Sequence, residues 1–134
     1  MPLVMIDLLE GRTAEEIHAI SDAVHGAMVA LLDVPERDRF DVITEHTAAT
    51  LRFDRNYLDI DRTDGFLLIR ITLSAGRSTA AKQAFYERVT ALLHDRTGIR
   101  TEDVMVILVE NEREDWSFGR GQANYLVLPR ESWR

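Results

Sequence analysis

The sequence predicts an α+β fold in which two tandem βαβ units form one four-stranded mixed sheet with both helices on one face. The first observation behind this prediction is an internal duplication. Gly11-Arg12-Thr13 is matched by Gly76-Arg77-Ser78, an offset of 65 residues, and this offset holds without a gap over the flanking segments. The second observation is that each copy lies between two strand-like runs. A strand, a crossover helix and a second strand form a βαβ unit with parallel strands.

The first unit begins with a strand near residues 3–8, where LVMIDL is rich in branched side chains. Thr13 occupies an N-cap position and, with Glu16, matches a capping box, so a helix is predicted to begin there. The apolar residues of this helix recur at helical spacing and form one stripe, namely Ile17, Ile20, Val24, Met28 and Leu31. A strand near residues 40–45 completes the unit.

The second unit repeats this order, with a strand near residues 66–73 and an N-cap at Ser78. Its helix carries an apolar stripe and is predicted to end at Gly98; the stripe contains Phe85, Val89, Leu92 and Leu93. A strand near residues 104–110 follows. Residues 47–64 form the connection and residues 112–134 form a tail, so we expect a single domain over 1–134 with halves of about 1–64 and 65–134.

The chain of 134 residues is acidic, with a net charge of −7, and contains no cysteine. The lack of cysteine excludes disulfides, thiolate metal sites and a cysteine nucleophile. The acidic balance disfavours nucleic acid or an anionic membrane as a partner. No apolar run is long enough for a membrane span, and the first residues lack the pattern of a signal peptide. We therefore expect a cytoplasmic protein.

One face of the predicted sheet is left without helices, although its strands are rich in Val, Ile and Leu. An uncovered apolar face favours oligomerisation. Ile71 is a mid-strand position at which a charge would test this prediction, provided that its side chain faces outward.

Few catalytic arrangements fit the sequence. The four histidines show no metal-binding spacing, and the glycines do not match a phosphate-binding or dinucleotide-binding fingerprint, so no metal and no cofactor is expected. Pro2 is more informative, because removal of Met1 would expose a secondary amine. Such an amine can act as a general base, a general acid or an iminium-forming nucleophile. If Met1 is retained, the Pro2 nitrogen is an amide without basicity.

Several segments resemble the tautomerase superfamily, and more closely its malonate semialdehyde decarboxylase group. They are MPLVMIDLLEGRT, VPERDRF at 34–40, AGRS at 75–78, DVMVILVEN at 103–111 and DWSFGRGQANY at 115–125. The resemblance implies catalytic roles for Pro2 and Asp38, and it implies that Arg77 binds the substrate carboxylate. It also implies that Trp116 and Phe118 form an aromatic pocket wall, and that the chain assembles as a homotrimer.

The sequence departs from this group at one position. Some of its decarboxylases carry a second arginine two residues before the one that matches Arg77, where this chain has Ala75. Structural roles also remain open for the matched residues, because Asp38 has a repeat equivalent in Asp103 and Arg77 has one in Arg12. Arg113 is expected to be a solvated charge.

The resemblance implies a cofactor-independent decarboxylase that uses Pro2 and acts on malonate semialdehyde or a similar small 3-oxo acid, releasing CO2 and an aldehyde. The first alternative is a keto–enol tautomerase of 2-oxo acids such as phenylpyruvate, or a hydratase-like activity on the same proline scaffold. The second alternative is a trimeric interaction protein without enzymatic activity, in which Met1 blocks Pro2.

Overall fold

The computed structural model describes residues 2–134, and its helices and strands follow the predicted order. The prediction about removal of Met1 lies outside the described residues. Each observed strand boundary differs from its prediction by at most one residue. The main elements are β1 (Leu3–Leu9), α1 (Ala14–Leu31), β2 (Asp41–His46), β3 (Leu67–Ser74), α2 (Thr79–Thr97) and β4 (Val104–Asn111), followed in the tail by the short helix α3 (Asn124–Val127).

The sheet has the strand order β2-β1-β3-β4 and is mixed, as predicted. Each βαβ unit contributes a parallel pair, β1 with β2 and β3 with β4, and the two units meet where β1 and β3 pair antiparallel. Met5 and Arg70 are repeat equivalents and lie directly opposite each other in this central pair. The pseudo-twofold axis that relates the two halves therefore passes between them.

Local signals in the sequence determine where the two long helices begin and end. The Thr13 hydroxyl accepts a hydrogen bond from the Glu16 backbone N–H at 3.1 Å, and the Ser78 hydroxyl caps α2 in the same way. The predicted capping box is only half present. The Glu16 carboxylate accepts from the Thr13 hydroxyl at 3.2 Å, whereas a full capping box has it accept from the Thr13 backbone N–H. Gly98 ends α2 with a φ of 72°, a conformation that glycine adopts without steric cost.

The core lies between the inner face of the sheet and the two helices. Alternate β1 residues point into it, and the predicted stripes of α1 and α2 supply the facing surface. Ile71 also belongs to this core, since its side chain is 0% exposed. The idea that a charge at Ile71 would test the outer face is therefore wrong.

The outer face of the sheet is apolar and uncovered within the chain, as predicted. Val42, Met105, Ile107 and Val109 lie on it and are 39% to 48% exposed. The strand register gives the same face Leu3, Met5, Leu9 and Leu68. Arg70 interrupts this surface, as does an ion pair in which His46 Nε2 lies 2.6 Å from Asp7 Oδ1. Trimer formation through this face stays a prediction.

A search of the described helices found none long and apolar enough to cross a membrane. Location in the cytoplasm stays a prediction.

Candidate active site

A cavity of about 890 Å³ opens at the end of the sheet where β1 and β2 begin and β3 ends. Its wall is formed by the loop after α1, the β3–α2 turn and the tail. Two of the five predicted functional residues, Asp38 and Arg77, line this cavity. The other three lie beside it, as described below.

Pro2 is buried directly before β1, next to the cavity rather than in its lining. The Val4 backbone N–H donates to Phe40 O at 3.0 Å, so β1 begins beside the loop that carries Asp38. On its other side, Leu3 is opposite Thr72, and continuing this antiparallel register places Pro2 opposite Leu73, one residue before β3 ends at Ser74. Ser74 lines the cavity.

Asp38 is held at the cavity by a turn and by contacts from two other elements. Its backbone N–H donates to Pro35 O at 3.0 Å, which closes the turn. His25 on α1 secures the same loop, since its Nε2 lies 2.8 Å from Glu36 O; because a carbonyl only accepts, Nε2 carries the proton. The Tyr125 hydroxyl donates to Asp38 Oδ2 over a long 3.4 Å.

Asp103, the repeat equivalent of Asp38, has a different environment. It is 1% exposed and accepts hydrogen bonds from the Thr63 backbone N–H at 2.7 Å and the Thr63 hydroxyl at 2.5 Å. The chain that leads into β3 thus fills the space beside Asp103, whereas the corresponding space beside Asp38 adjoins the open cavity. Asp103 therefore has a structural role, because it holds the chain at Thr63. The sequence had left such a role open for both aspartates.

Arg77 is anchored to the backbone on one side. Its Nε and Nη2 donate to Leu32 O at 3.0 and 2.8 Å, and its Nη1 donates to Ser74 O at 2.7 Å. A guanidinium has five N–H groups, so these bonds leave one N–H on each terminal nitrogen for a ligand. Burial lowers the pKa of Arg77, and the nearby Asp33, Glu110 and Tyr125 oppose this decrease.

Trp116 and Phe118 form an aromatic wall behind the cavity. Their rings are stacked with centroids 5.5 Å apart, and Phe118 meets Tyr125 edge-on at 5.0 Å. Trp116 Nε1 donates to Asn111 Oδ1 at 2.7 Å, which fixes the indole. Tyr125, rather than Trp116 or Phe118, lines the cavity within this single chain.

Tyr125 and Trp133 are site residues that the sequence did not predict. Burial raises the pKa of Tyr125 to about 12, with the positive charge of Arg77 opposing the increase. Trp133 lies edge-on to Tyr125 at 4.6 Å. Arg113, expected to be a solvated charge, is exposed, but its guanidinium lies 5.4 Å from the centroid of the Trp133 ring. The only sequence signal for Tyr125 was its place at the end of the DWSFGRGQANY run.

A search for metal-binding groups found no cluster of three or more histidine, aspartate or glutamate side chains among residues 2–134. The charged groups that face the cavity are arginines and carboxylates.

The duplicated βαβ sheet thus has a partly enclosed cavity at its strand ends, lined by an anchored arginine, an aspartate and a tyrosine. Two family models, each described as "Tautomerase enzyme", match residues 38–119 and 2–54, which makes the chain an enzyme of the tautomerase type. The chain belongs to the tautomerase family.

The similar proteins extend over nearly the whole chain. "Probable tautomerase YusQ" of Bacillus subtilis (strain 168) is 37% identical over 126 residues, which cover 94% of this chain and 99% of that protein. A solved structure of malonate semialdehyde decarboxylase is 38% identical, with a TM-score of 0.88 over 92% of this chain and 95% of that one. Another, inhibited by 3-bromopropiolate, is 35% identical, with a TM-score of 0.87 over 95% of this chain and 99% of that one.

Proposed function

We propose that the protein decarboxylates malonate semialdehyde or a similar small 3-oxo acid, with Pro2 as its reactive amine after removal of Met1. The observation that carries this proposal is the anchored guanidinium of Arg77, which lines the same cavity as Asp38 close to the start of β1. The likeness to two solved malonate semialdehyde decarboxylases supports it.

In the proposed reaction, Arg77 holds the carboxylate through its two remaining N–H groups. This contact orients the bond between the carboxylate carbon and the α-carbon toward the π-system of the neighbouring carbonyl. When that bond breaks, its electron pair moves into the carbonyl, and CO2 leaves. Pro2 accepts the developing charge either as a protonated amine that polarises the carbonyl or as an iminium. Proton transfer to the α-carbon then gives acetaldehyde from malonate semialdehyde on the first route. On the iminium route, condensation of Pro2 with the aldehyde releases water, and hydrolysis after proton transfer frees acetaldehyde and the amine.

Two further groups assist this chemistry in the proposal. The carboxylate of Asp38 favours the cationic form of Pro2, because an opposite charge nearby stabilises the protonated amine. The tyrosine hydroxyl stays neutral through the physiological range, since burial raises the pKa of Tyr125 to about 12. It can exchange its long hydrogen bond to Asp38 for one to an oxygen of the substrate. Trp116 and Phe118 back this part of the cavity and limit its contact with water.

A keto–enol tautomerase of 2-oxo acids such as phenylpyruvate is the second candidate. It is favoured by the curated relatives, two of which are probable tautomerases at 37% and 35% identity. In that reaction Pro2 acts as a neutral base that moves a proton between carbon and oxygen. A hydratase-like activity differs from the tautomerase here, because it would need Pro2 in the cationic form, as the decarboxylase does.

The test compares the chain that begins at Pro2 with the chain that retains Met1, each identified by intact mass. CO2 release from malonate semialdehyde and ketonisation of phenylpyruvate are measured for both forms. We expect the form that retains Met1 to be at least about 100-fold slower, because an amide nitrogen cannot serve as an acid, base or nucleophile. Equal rates would exclude Pro2 from the mechanism. Ketonisation without CO2 release would favour the tautomerase.

A further inference from the structure

The cavity is larger and more basic than a three-carbon oxo acid requires. Its volume of about 890 Å³ lies within the range of about 300–1,000 Å³ that is typical of pockets for drug-sized ligands. Five arginines and three carboxylates line it, although the whole chain carries a net charge of −7. Arg77 accounts for one carboxylate of the ligand. The remaining positive charge indicates a second anionic group.

The additional arginines belong to the tail, on a different element from Arg77. Arg113 and Arg130 both line the cavity, and their guanidinium carbons lie 5.4 and 5.8 Å from the centroid of the Trp133 ring. These distances are those of cation–π contacts, which position a guanidinium while leaving its N–H groups available. Within residues 2–134, neither arginine forms an ion pair with a carboxylate.

Trp133 supplies an independent observation at the same place. Its indole Nε1 is shielded from solvent and has no acceptor in the part of the chain that the structure describes. A buried N–H without an acceptor carries a desolvation cost, and a ligand oxygen would relieve it once the indole turns to expose this N–H to the cavity. Trp133 lines the cavity and packs against Tyr125, so an acceptor placed there would lie in the same pocket as the substrate.

We propose that Arg113, Arg130 and the Trp133 N–H form a second anion subsite, and that the enzyme prefers oxo acids with a second, remote carboxylate. This inference rests on the proposed function for the position of the first carboxylate at Arg77. For a 3-oxo dicarboxylate the reaction is unchanged: the bond to the carboxylate β to the ketone breaks, and the remote carboxylate stays bound at the tail.

Binding of two acids that cannot react tests the subsite independently of catalysis. The affinities of hexanedioate and hexanoate, which differ in a terminal carboxylate, are measured calorimetrically for the full chain. We expect hexanedioate to bind about 10-fold more tightly or better, because a second charge-assisted contact forms. In the double variant Arg113→Ala/Arg130→Ala this preference should fall to about twofold or less. Trp133→Phe, which keeps a ring and removes the N–H, should lower the preference by about threefold.

Arg88→Ala is the matched control, because Arg88 is exposed on α2 and outside the cavity lining. It removes one positive charge and should leave the preference unchanged. Equal affinity of the two acids for the wild-type chain, or a preference that survives the double variant, would overturn the subsite.

Turnover of 3-oxohexanedioate and 3-oxohexanoate then separates the two proposals. A higher kcat/KM for the diacid that disappears in the double variant would support both. Preferential binding of hexanedioate without CO2 release from either oxo acid or from malonate semialdehyde would uphold the subsite and refute the decarboxylase.

Discussion

Arg12 and Arg77 occupy equivalent points of the repeat but contact different parts of the chain. Arg77 holds the carbonyls of Leu32 and Ser74, whereas Arg12 donates from Nη2 to Gly65 O at 2.9 Å. Burial lowers the pKa of both guanidinium groups. Both arginines therefore fix backbone, and only Arg77 does so at the edge of the open cavity.

We predict that Arg77→Ala lowers kcat/KM for the 3-oxo acid by about 100-fold or more, through loss of a charge-assisted contact to the carboxylate. Arg12→Ala should change kcat/KM by less than about fivefold. Both variants should unfold at lower temperature than the wild type, because each loses hydrogen bonds to carbonyl groups. Steady-state kinetics are measured well below both melting temperatures. Equal impairment of the two variants, or a greater loss in Arg12→Ala, would contradict the assignment of the carboxylate to Arg77.

Tyr125 should ionise only at unusually high pH, because burial raises its pKa to about 12. A spectroscopic titration of tyrosinate absorbance should show a late phase near pH 12 that is lost in Tyr125→Phe. Because the pKa is raised above the ordinary value of 10, the unfolded chain ionises first. The free energy of unfolding should therefore decrease between about pH 10 and 12, and less so in Tyr125→Phe. The absence of a phase near pH 12 that depends on Tyr125 would refute this.

At the scale of elements, the two chain segments that precede β1 and β3 differ. Residues of the connection reach back to Asp103, and Gly65 is so close that a Cβ there would lie 3.0 Å from Asp103 Oδ2. The corresponding segment of the first half is the start of the chain at Pro2. The repeat is therefore preserved in its strands and helices and broken in the segments that lead into them.

We predict that substitution of Asp103 mainly affects stability, whereas substitution of Asp38 mainly affects kcat. Asp103→Ala should lower the free energy of unfolding by about 2–3 kcal/mol, because it leaves the buried groups of Thr63 without their acceptor. Asp38→Ala should lower it by less and should reduce kcat instead. Chemical denaturation and kinetics on both variants provide the test. Greater destabilisation by Asp38→Ala would show that the first aspartate is also structural.

The sequence predicted the elements well because their signals are local. Hydroxyl caps at Thr13 and Ser78 and the glycine at 98 act within one helical turn, and apolar periodicity identifies the buried faces. The tail and the connection lack such periodicity. The places of Tyr125 and Trp133 at the cavity, and of Thr63 at Asp103, depend on contacts between residues far apart in sequence. The resemblance rested on short matched segments, which contain Asp38 and Arg77. Arg113 and Arg130 lie outside those segments, and their place at the cavity depends on how the tail packs.

For the whole molecule, the uncovered face of the sheet is the surface through which we expect assembly. Apolar side chains are exposed there on the edge strands β2 and β4 and partly exposed on β1 and β3, together with the hydrogen-bonded pair Asp7–His46. Removing such a surface from water favours association of identical chains, and a closed ring satisfies every copy equally. The proposed homotrimer follows from this surface together with the family resemblance.

We predict that Ile107→Arg shifts the protein from a trimer to a monomer of 15.3 kDa, because a second guanidinium would be buried directly opposite Arg70 on the neighbouring strand. Ala91→Arg is the control, since it places the same charge on an exposed position of α2, on the opposite side of the sheet. Light scattering coupled to size exclusion gives both masses. A wild-type chain that is monomeric at micromolar concentration, or an Ile107→Arg variant that stays trimeric, would refute the predicted assembly.

In the proposed mechanism, the chain that fills the space beside Asp103 also limits the number of reaction centres. The two halves have equivalent sheet ends, but the end beside Asp103 is crossed by a continuous backbone and cannot present a terminal amine. The stoichiometry of a covalent inhibitor should therefore be one per chain, half the number of repeats. Cutting the connection before Leu67 by circular permutation, with a proline as the new first residue, would move the terminus to the other end. The reactive amine would then lie in the second half of the repeat, at the end of the sheet beside Asp103.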